Sequence, residues 1–337
     1  MNKTPKKVPS EQWQIKPVWT PKLIGFLLVA AILFALSARH TEVDRMVGMS
    51  AEAVAVTVGL KDDSQVYSGM KRILTDLFPM KIEERREVNR IENFDRDNLP
   101  WFSRIETETS TQFVMNSETL SLEEVESTRE VLVQPVGYLL YACKLMIQTI
   151  EIAFWGTVLA ILLAIPLGFG GARNYAKWGF FYHASRSICS FMRAMPELII
   201  ALFLVLAYGF GPIAGVLALG LHTAGFLGKF FAEDIENADR GPQEAVSSTG
   251  ANRIQVFLYT VFPQVAPSYA AYVQYILERN IRSATVLGVV GAGGIGQELK
   301  GQFEMFNYSH VATILFIILL TVMVLEHLTG MLRKRIL

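Results

Sequence analysis

Glu244-Ala245-Val246, Gly250-Ala251-Asn252-Arg253 and Val261-Phe262-Pro263 fall in one polar interval, residues 232–263, between two apolar runs at 212–231 and 267–288. A bilayer core takes about 20 consecutive apolar residues of helix, so both flanks read as membrane spans. The interval itself reads as two short helices broken at Gly250, where a residue without a side chain lets the backbone turn.

Working outward, four further apolar runs of spanning length occupy 22–39, 146–169, 190–209 and 309–330. The expectation is an all-α membrane protein with about six transmembrane helices. Composition agrees. The chain has 337 residues, of which 51% are hydrophobic and 18% charged, with a mean hydropathy of +0.32. A soluble chain carries about 25% charged residues, and here charge is nearly absent from the apolar runs and crowded between them. The formal net charge is zero and no basic stripe is interleaved with aromatics, which argues against a nucleic-acid partner. Cys143 and Cys189 both lie in or beside apolar stretches, so neither a disulfide framework nor a thiolate metal site is expected.

Orientation follows the positive-inside rule. Lys3, Lys6, Lys7, Lys16 and Lys22 precede the first run, Arg173, Lys177, Arg186 and Arg193 follow the second, and Arg333, Lys334 and Arg335 lie beyond the last. An even number of spans puts all three clusters, and both termini, on the cytoplasmic side. The triplet Ala35-Leu36-Ser37 lies inside the first run rather than after a polar spacer, so the run reads as an uncleaved anchor. The layout expected is a cytoplasmic tail (1–21), an anchor helix (22–39), an extracytoplasmic segment (40–137) and a five-helix core (138–337) carrying the loop 232–263. In the external segment, Met70, Ile73, Leu74 and Leu77 have helical spacing, as in an amphipathic helix over 67–80 lying on the bilayer or a partner. Residues 105–115 alternate as a strand does.

The polar interval resembles the EAA loop of ABC importer permeases, which seats in a groove of a soluble ATPase. A second block, Glu278-Arg279-Asn280-Ile281-Arg282-Ser283-Ala284-Thr285-Val286-Leu287-Gly288 running into Gly291-Ala292-Gly293-Gly294-Ile295-Gly296, is similar to the phosphonate branch of the methionine-importer-like permeases. Phe154-Trp155-Gly156-Thr157, Arg193-Ala194-Met195-Pro196-Glu197 and the stretch from Gly211 to Leu219 with His222-Thr223 extend the likeness across about 138–337. The larger external insert, 81–135, departs from it. The resemblance implies a type I importer core, ATPase coupling through Glu244, Ala245, Gly250, Ala251, Arg253 and Pro263, and a small oxyanion as cargo: phosphonate, phosphite or a phosphate ester. It also implies a second permease copy, two cytoplasmic ATPase subunits holding ATP and Mg, and an extracytoplasmic solute-binding protein. The chain itself would bind no cofactor and do no covalent chemistry.

Polar residues at membrane depth are functional candidates. They are Glu278, Arg279, Asn280, Arg282, Ser283 and Thr285 of the fifth run and His222 of the fourth. Two readings of Arg282 stand open: facing the pathway with Asn280 or Ser283 beside it, as a fork of donors for an anion, or pairing with Glu278 one turn away. An ion-coupled transporter or channel using Glu278 and Arg282 as a relay is the rival from another class. Gly291, Gly293, Gly294 and Gly296 match a dinucleotide-binding turn, but the position about 20 residues on, where an acid should stand, falls in the apolar stretch 316–320. Helix bending or close packing is the expected role. Gly228-Lys229 lacks the remaining P-loop residues, no histidines have metal-ligand spacing, and no nucleophile and base pair on one face.

Overall fold

The structure is a computed structural model that describes residues 20–91, 94–96, 99–100, 102–115, 122–176 and 178–336, with side chains described outside 110–127 and 332–336. Lys3, Lys6, Lys7, Lys16 and Lys177 of the orientation argument lie outside the described residues, as do the side chains of Arg333, Lys334 and Arg335. The chain forms two compact units, Met1–Thr75 and Asp76–Leu337.

In the first unit, Pro21 opens α1 (Pro21–His40) at a position where its missing N–H is no loss, and Thr20 Oγ1 accepts the Leu23 amide at 3.3 Å. No residue of α1 is buried although the helix is apolar on every side, as suits a helix solvated by lipid. Glu42, in the left-handed region at φ 53°, turns the chain into α2 (Val43–Thr57). The amphipathic helix expected over 67–80 is α3 (Gln65–Leu77), and its Met70, Ile73 and Leu74 are exposed.

The second unit contains the strand expected over 105–115, paired in a three-stranded sheet. β1 (Glu84–Glu87), β2 (Arg104–Met115) and β3 (Leu122–Gln134) form an antiparallel sheet in the order β1-β3-β2, registered Glu84↔Gln134, Arg104↔Val133 and Met115↔Leu122. Its root is apolar, with Val131, Leu132 and Val133 buried. Its rim is ionic: Arg129 meets Glu87 and Arg85 meets Glu108, each at 2.7 Å, and Arg96 pairs with Glu130. The root is tied to the helical core at three points. The Lys81 amide donates to the Ser309 carbonyl at 3.2 Å, Thr313 Oγ1 donates to the Lys81 carbonyl at 2.8 Å, and the Tyr138 amide donates to the Ile82 carbonyl at 3.1 Å.

The core is built on α4 (Gly137–Gly171) against α7 (Pro212–Asn237). Small residues let the two backbones close: a Cβ at Gly156 would sit 2.9 Å from Leu219, and one at Gly220 would sit 2.6 Å from Leu159. In lipid, where apolar burial drives little association, such van der Waals fit holds helices together. The run 190–209, expected as one span, is two helices, α5 (Gly179–Ala194) and α6 (Glu197–Tyr208), meeting at 89°. Pro196 supplies no N–H and disfavours helical geometry in Met195, whose ψ is 122°. Beyond α7 come α8 (Arg240–Ser248), α9 (Arg253–Val256), one wide turn (Phe257–Val261), α10 (Phe262–Val289), α11 (Ile295–Glu304) and α12 (Tyr308–Ile336).

Among the described residues α1, α4, α7 and α12 are long and apolar enough to span a bilayer, and the α5–α6 pair is a fifth span if counted as one. The remaining expected span is α10. It has 28 residues and carries Glu278, Arg279 and Arg282, which make it more polar than the other spans.

Candidate functional site

The loop after α7 is shaped by caps. Asp239 Oδ1 accepts the Gly241 amide at 3.1 Å and starts α8, while Gln243 Nε2 reaches back to the carbonyls of Ala238 and Asp239 at 3.2 and 2.9 Å. α8 stops at Gly250, whose φ is +86° and around whose missing Cβ nothing lies within 4 Å. The requirement for glycine here is therefore conformational, not steric. Asn252 and Gln255 then form a reciprocal capping box, 2.9 and 2.8 Å, that opens α9. Pro263 sits in the first turn of α10, where it is tolerated.

Phe257, Val261 and Val265 root this projection by packing on Ala232 and Ile235 of α7. Glu244, Ala251 and Arg253 border one open polar cleft of about 670 Å³, together with Arg240, Ser247 and Tyr175. Ala245 and Pro263 do not border it, though both are exposed. Burial holds the Tyr175 hydroxyl above the usual phenol range, with Arg253 nearby acting against the shift. The loop thus offers a polar outer face on an apolar base rigidly joined to two long helices.

Within the membrane-spanning core, α10 turns its polar residues to four neighbouring helices: α4, α6, α7 and α12. Asn280 is fully buried; its Nδ2 donates to Thr157 Oγ1 of α4 at 2.9 Å and its Oδ1 accepts from Thr223 Oγ1 of α7 at 3.1 Å. It thus clasps three helices together. Thr285 donates to the Ile281 carbonyl of its own helix at 3.2 Å. Arg282 lies 2.7 Å from Glu278 and 3.5 Å from Glu326 of α12, and Thr329 also donates to Glu278, at 3.4 Å. Of the two readings left open for Arg282, this geometry matches the intrahelical pair, extended by a second helix.

Arg279 and Ser283 face the other way. Arg279 Nη2 is 2.8 Å from His222 Nε2 and 3.4 Å from Glu197 Oε2, and Ser283 Oγ donates to Glu197 Oε1 at 2.7 Å. His222 Nδ1 lies 2.9 Å from the Met195 carbonyl. A carbonyl can only accept, so Nδ1 carries the proton, and Nε2 accepts from the guanidinium; His222 is neutral in this arrangement. Its 3.9 Å approach to Glu197 is then no ion pair. Arg279 and Arg193 both stand over the Phe226 ring, 4.9 and 5.7 Å from its centre. Glu197 is the residue that reasoning from runs and spacing did not find. It stands 82 positions from Arg279, and its place at membrane depth depends on the bend at Pro196.

The glycine run makes the turn from α10 into α11. Gly291, Gly293 and Gly294 have φ of 95°, 83° and 72°. A Cβ at Gly294 would lie 2.4 Å from Thr149 Oγ1, and one at Gly296 would lie 2.0 Å from the Thr285 carbonyl. Thr149 Oγ1 in turn accepts the Ile295 amide at 2.8 Å. The run is a tight, packed bend rather than a phosphate cradle.

These features have known counterparts. Residues 156–337 match the family described as the binding-protein-dependent transport system inner membrane component. HtxE of Stutzerimonas stutzeri, a permease protein named for a phosphite transport system, is 51% identical over 260 residues, 77% of this chain and 100% of HtxE. PhnE of Mycolicibacterium smegmatis, a phosphate-import permease protein, is 41% identical over 190 residues, 56% of this chain and 36% of PhnE. A chain of the inward-facing MetNI methionine ABC transporter superposes with a TM-score of 0.51 at 18% identity, covering 58% of this chain and 95% of that one, which shows a shared fold. The chain belongs to the inner-membrane components of binding-protein-dependent transport systems, the permease subunits of ABC importers.

Proposed function

We propose that this permease imports a small oxyanion of phosphorus, a phosphonate or its relatives phosphite and phosphate ester, with energy from ATP hydrolysed on a separate subunit. The observation that carries the reading is the 51% identity to a permease named for phosphite, over that protein's whole length. A permease named for phosphate import, at 41%, keeps the chemistry within phosphorus oxyanions.

In this reading two copies of the chain pair, each presenting its 232–263 loop to one ATPase subunit, and both termini face the cytoplasm. Glu244 and Arg253 supply polar contacts to the ATPase, with Ala251 beside them, and Gly250 sets the angle between the two short helices. Motion of the ATPase pair passes through the apolar root at Phe257 and Val261 into α7 and α10. The external sheet faces the solute-binding protein. Arg279, His222 and Ser283 line the route the anion takes, while Asn280 and the Glu278–Arg282 pair hold the helices that frame it.

The test is uptake into proteoliposomes holding the permease, its ATPase and its binding protein. Phosphite and methylphosphonate should accumulate only with ATP and binding protein present. Accumulation driven by an ion gradient without ATPase would overturn the reading.

A further inference from the structure

The charges around α6 do not balance. Arg279 and Arg193 both lie over the Phe226 ring, Glu197 is the carboxylate that meets Arg279, and among the described residues Arg193 has no carboxylate partner. With His222 neutral, the cluster holds one positive charge in excess. Arg279 and Glu197 are each about a quarter exposed, 24% and 25%, so neither is sealed from solvent that enters the core. Glu197 is held by a guanidinium and a serine hydroxyl, the same kinds of donor a tetrahedral oxyanion takes. It stands at the first residue of α6, where helix N–H groups favour negative charge, immediately after the 89° break.

We propose that Arg279, Ser283 and Arg193 form a station for a small oxyanion inside the membrane, and that Glu197 is its resident counter-ion, exchanged for the cargo during transport. His222 is a positioning residue: fixed by the Met195 carbonyl, it presents Nε2 to Arg279 and aims the guanidinium. The proposal deepens the importer reading and rests on it for the identity of the cargo. Its physical logic is competition. A guanidinium left without a counter-ion in the membrane is costly, so the carboxylate stabilises the unloaded state. Because the anion must displace it, binding is weak enough for release.

The experiment measures equilibrium binding of phosphite, methylphosphonate and sulfate to the full chain in lipid nanodiscs. Glu197→Gln keeps the shape of the side chain and removes the competing charge. It should tighten binding of at least one anion by about tenfold or more. Glu197→Asp, which keeps the charge that the fold needs but draws the carboxylate back, should fall between wild type and Glu197→Gln. Adding Arg279→Gln to Glu197→Gln should return binding to the wild-type level or below. No tightening for any of the three anions in either Glu197 variant, or tightening that survives Arg279→Gln, overturns the station. Failure of the cargo reading looks different: the wild-type complex would then transport neither phosphite nor methylphosphonate, while Arg279-dependent binding of sulfate to Glu197→Gln would still support the station.

Discussion

Ser283 Oγ donates to Glu197 Oε1 at 2.7 Å, joining the C-terminal part of α10 to the first residue of α6 across 86 positions of sequence. The same carboxylate takes Arg279 on its other oxygen. One turn of α10 therefore holds the broken helix by both oxygens of a single side chain, and any movement of α10 relative to α6 must open this contact. Ser283→Ala removes one of the two holds. Uptake by this variant should change by a few-fold while thermal stability falls by only about 1 kcal/mol. A wild-type transport rate would leave the contact without a part in the cycle.

The clasp at Asn280 is structural. Asn280→Ala strips the buried Thr223 hydroxyl of its acceptor and opens a space between α4, α7 and α10. Destabilisation of about 2–4 kcal/mol is expected, read as a lower melting temperature in detergent. Asn280→Asp should be worse, because it buries a charge with no cation beside it.

Arg282 and Glu278 should behave as a pair. Arg282→Gln leaves the Glu278 carboxylate, 17% exposed, with only the Thr329 hydroxyl, and should lower folded yield and uptake together by about 1–2 kcal/mol in equivalent terms. Changing both residues to Gln removes the orphan and should restore most of the loss. Uptake that stays low in the double variant would instead assign Arg282 to the pathway.

At the coupling loop, Gly250→Ala tests conformation alone, since no atom crowds the new methyl. A strain of about 1 kcal/mol should leave the membrane core folded but reduce binding-protein-stimulated ATP turnover. Glu244→Lys reverses an exposed charge and should weaken ATPase association, as seen in pull-down from solubilised membranes. If both variants couple as wild type does, the loop is not the contact.

The external sheet should tolerate trimming at its tip but not at its root. Replacing 107–129 with a short Gly-Ser turn leaves Lys81, Ile82 and Val131 to Val133 in place, so the melting temperature should hold. Affinity for the binding protein should fall. Deleting 81–131 cuts the ties to Ser309, Thr313 and Tyr138 and should destabilise the core as well. Equal melting temperatures for the two deletions would show that the root carries no weight.

The sequence alone determined what local chemistry can announce. Long apolar runs name spans because lipid cannot satisfy a backbone, and Gly250 marks a break because no other residue turns so freely. The alternation over 105–115 and the spacing of Met70, Ile73 and Leu74 announced β2 and α3 because each kind of element repeats its faces with its own period. The sequence also showed that α10 carries charges, but not where each one points. Arg279 and Arg282 are three residues apart on one helix, so spacing leaves them nearly equivalent. Only the packed helices send Arg279 to Glu197 and His222 and Arg282 to Glu278 and Glu326. Glu197 in turn reaches the cluster because Pro196 breaks what composition presents as one continuous span, and the direction taken after a break is set by the neighbours it packs against, not by the residues that cause it.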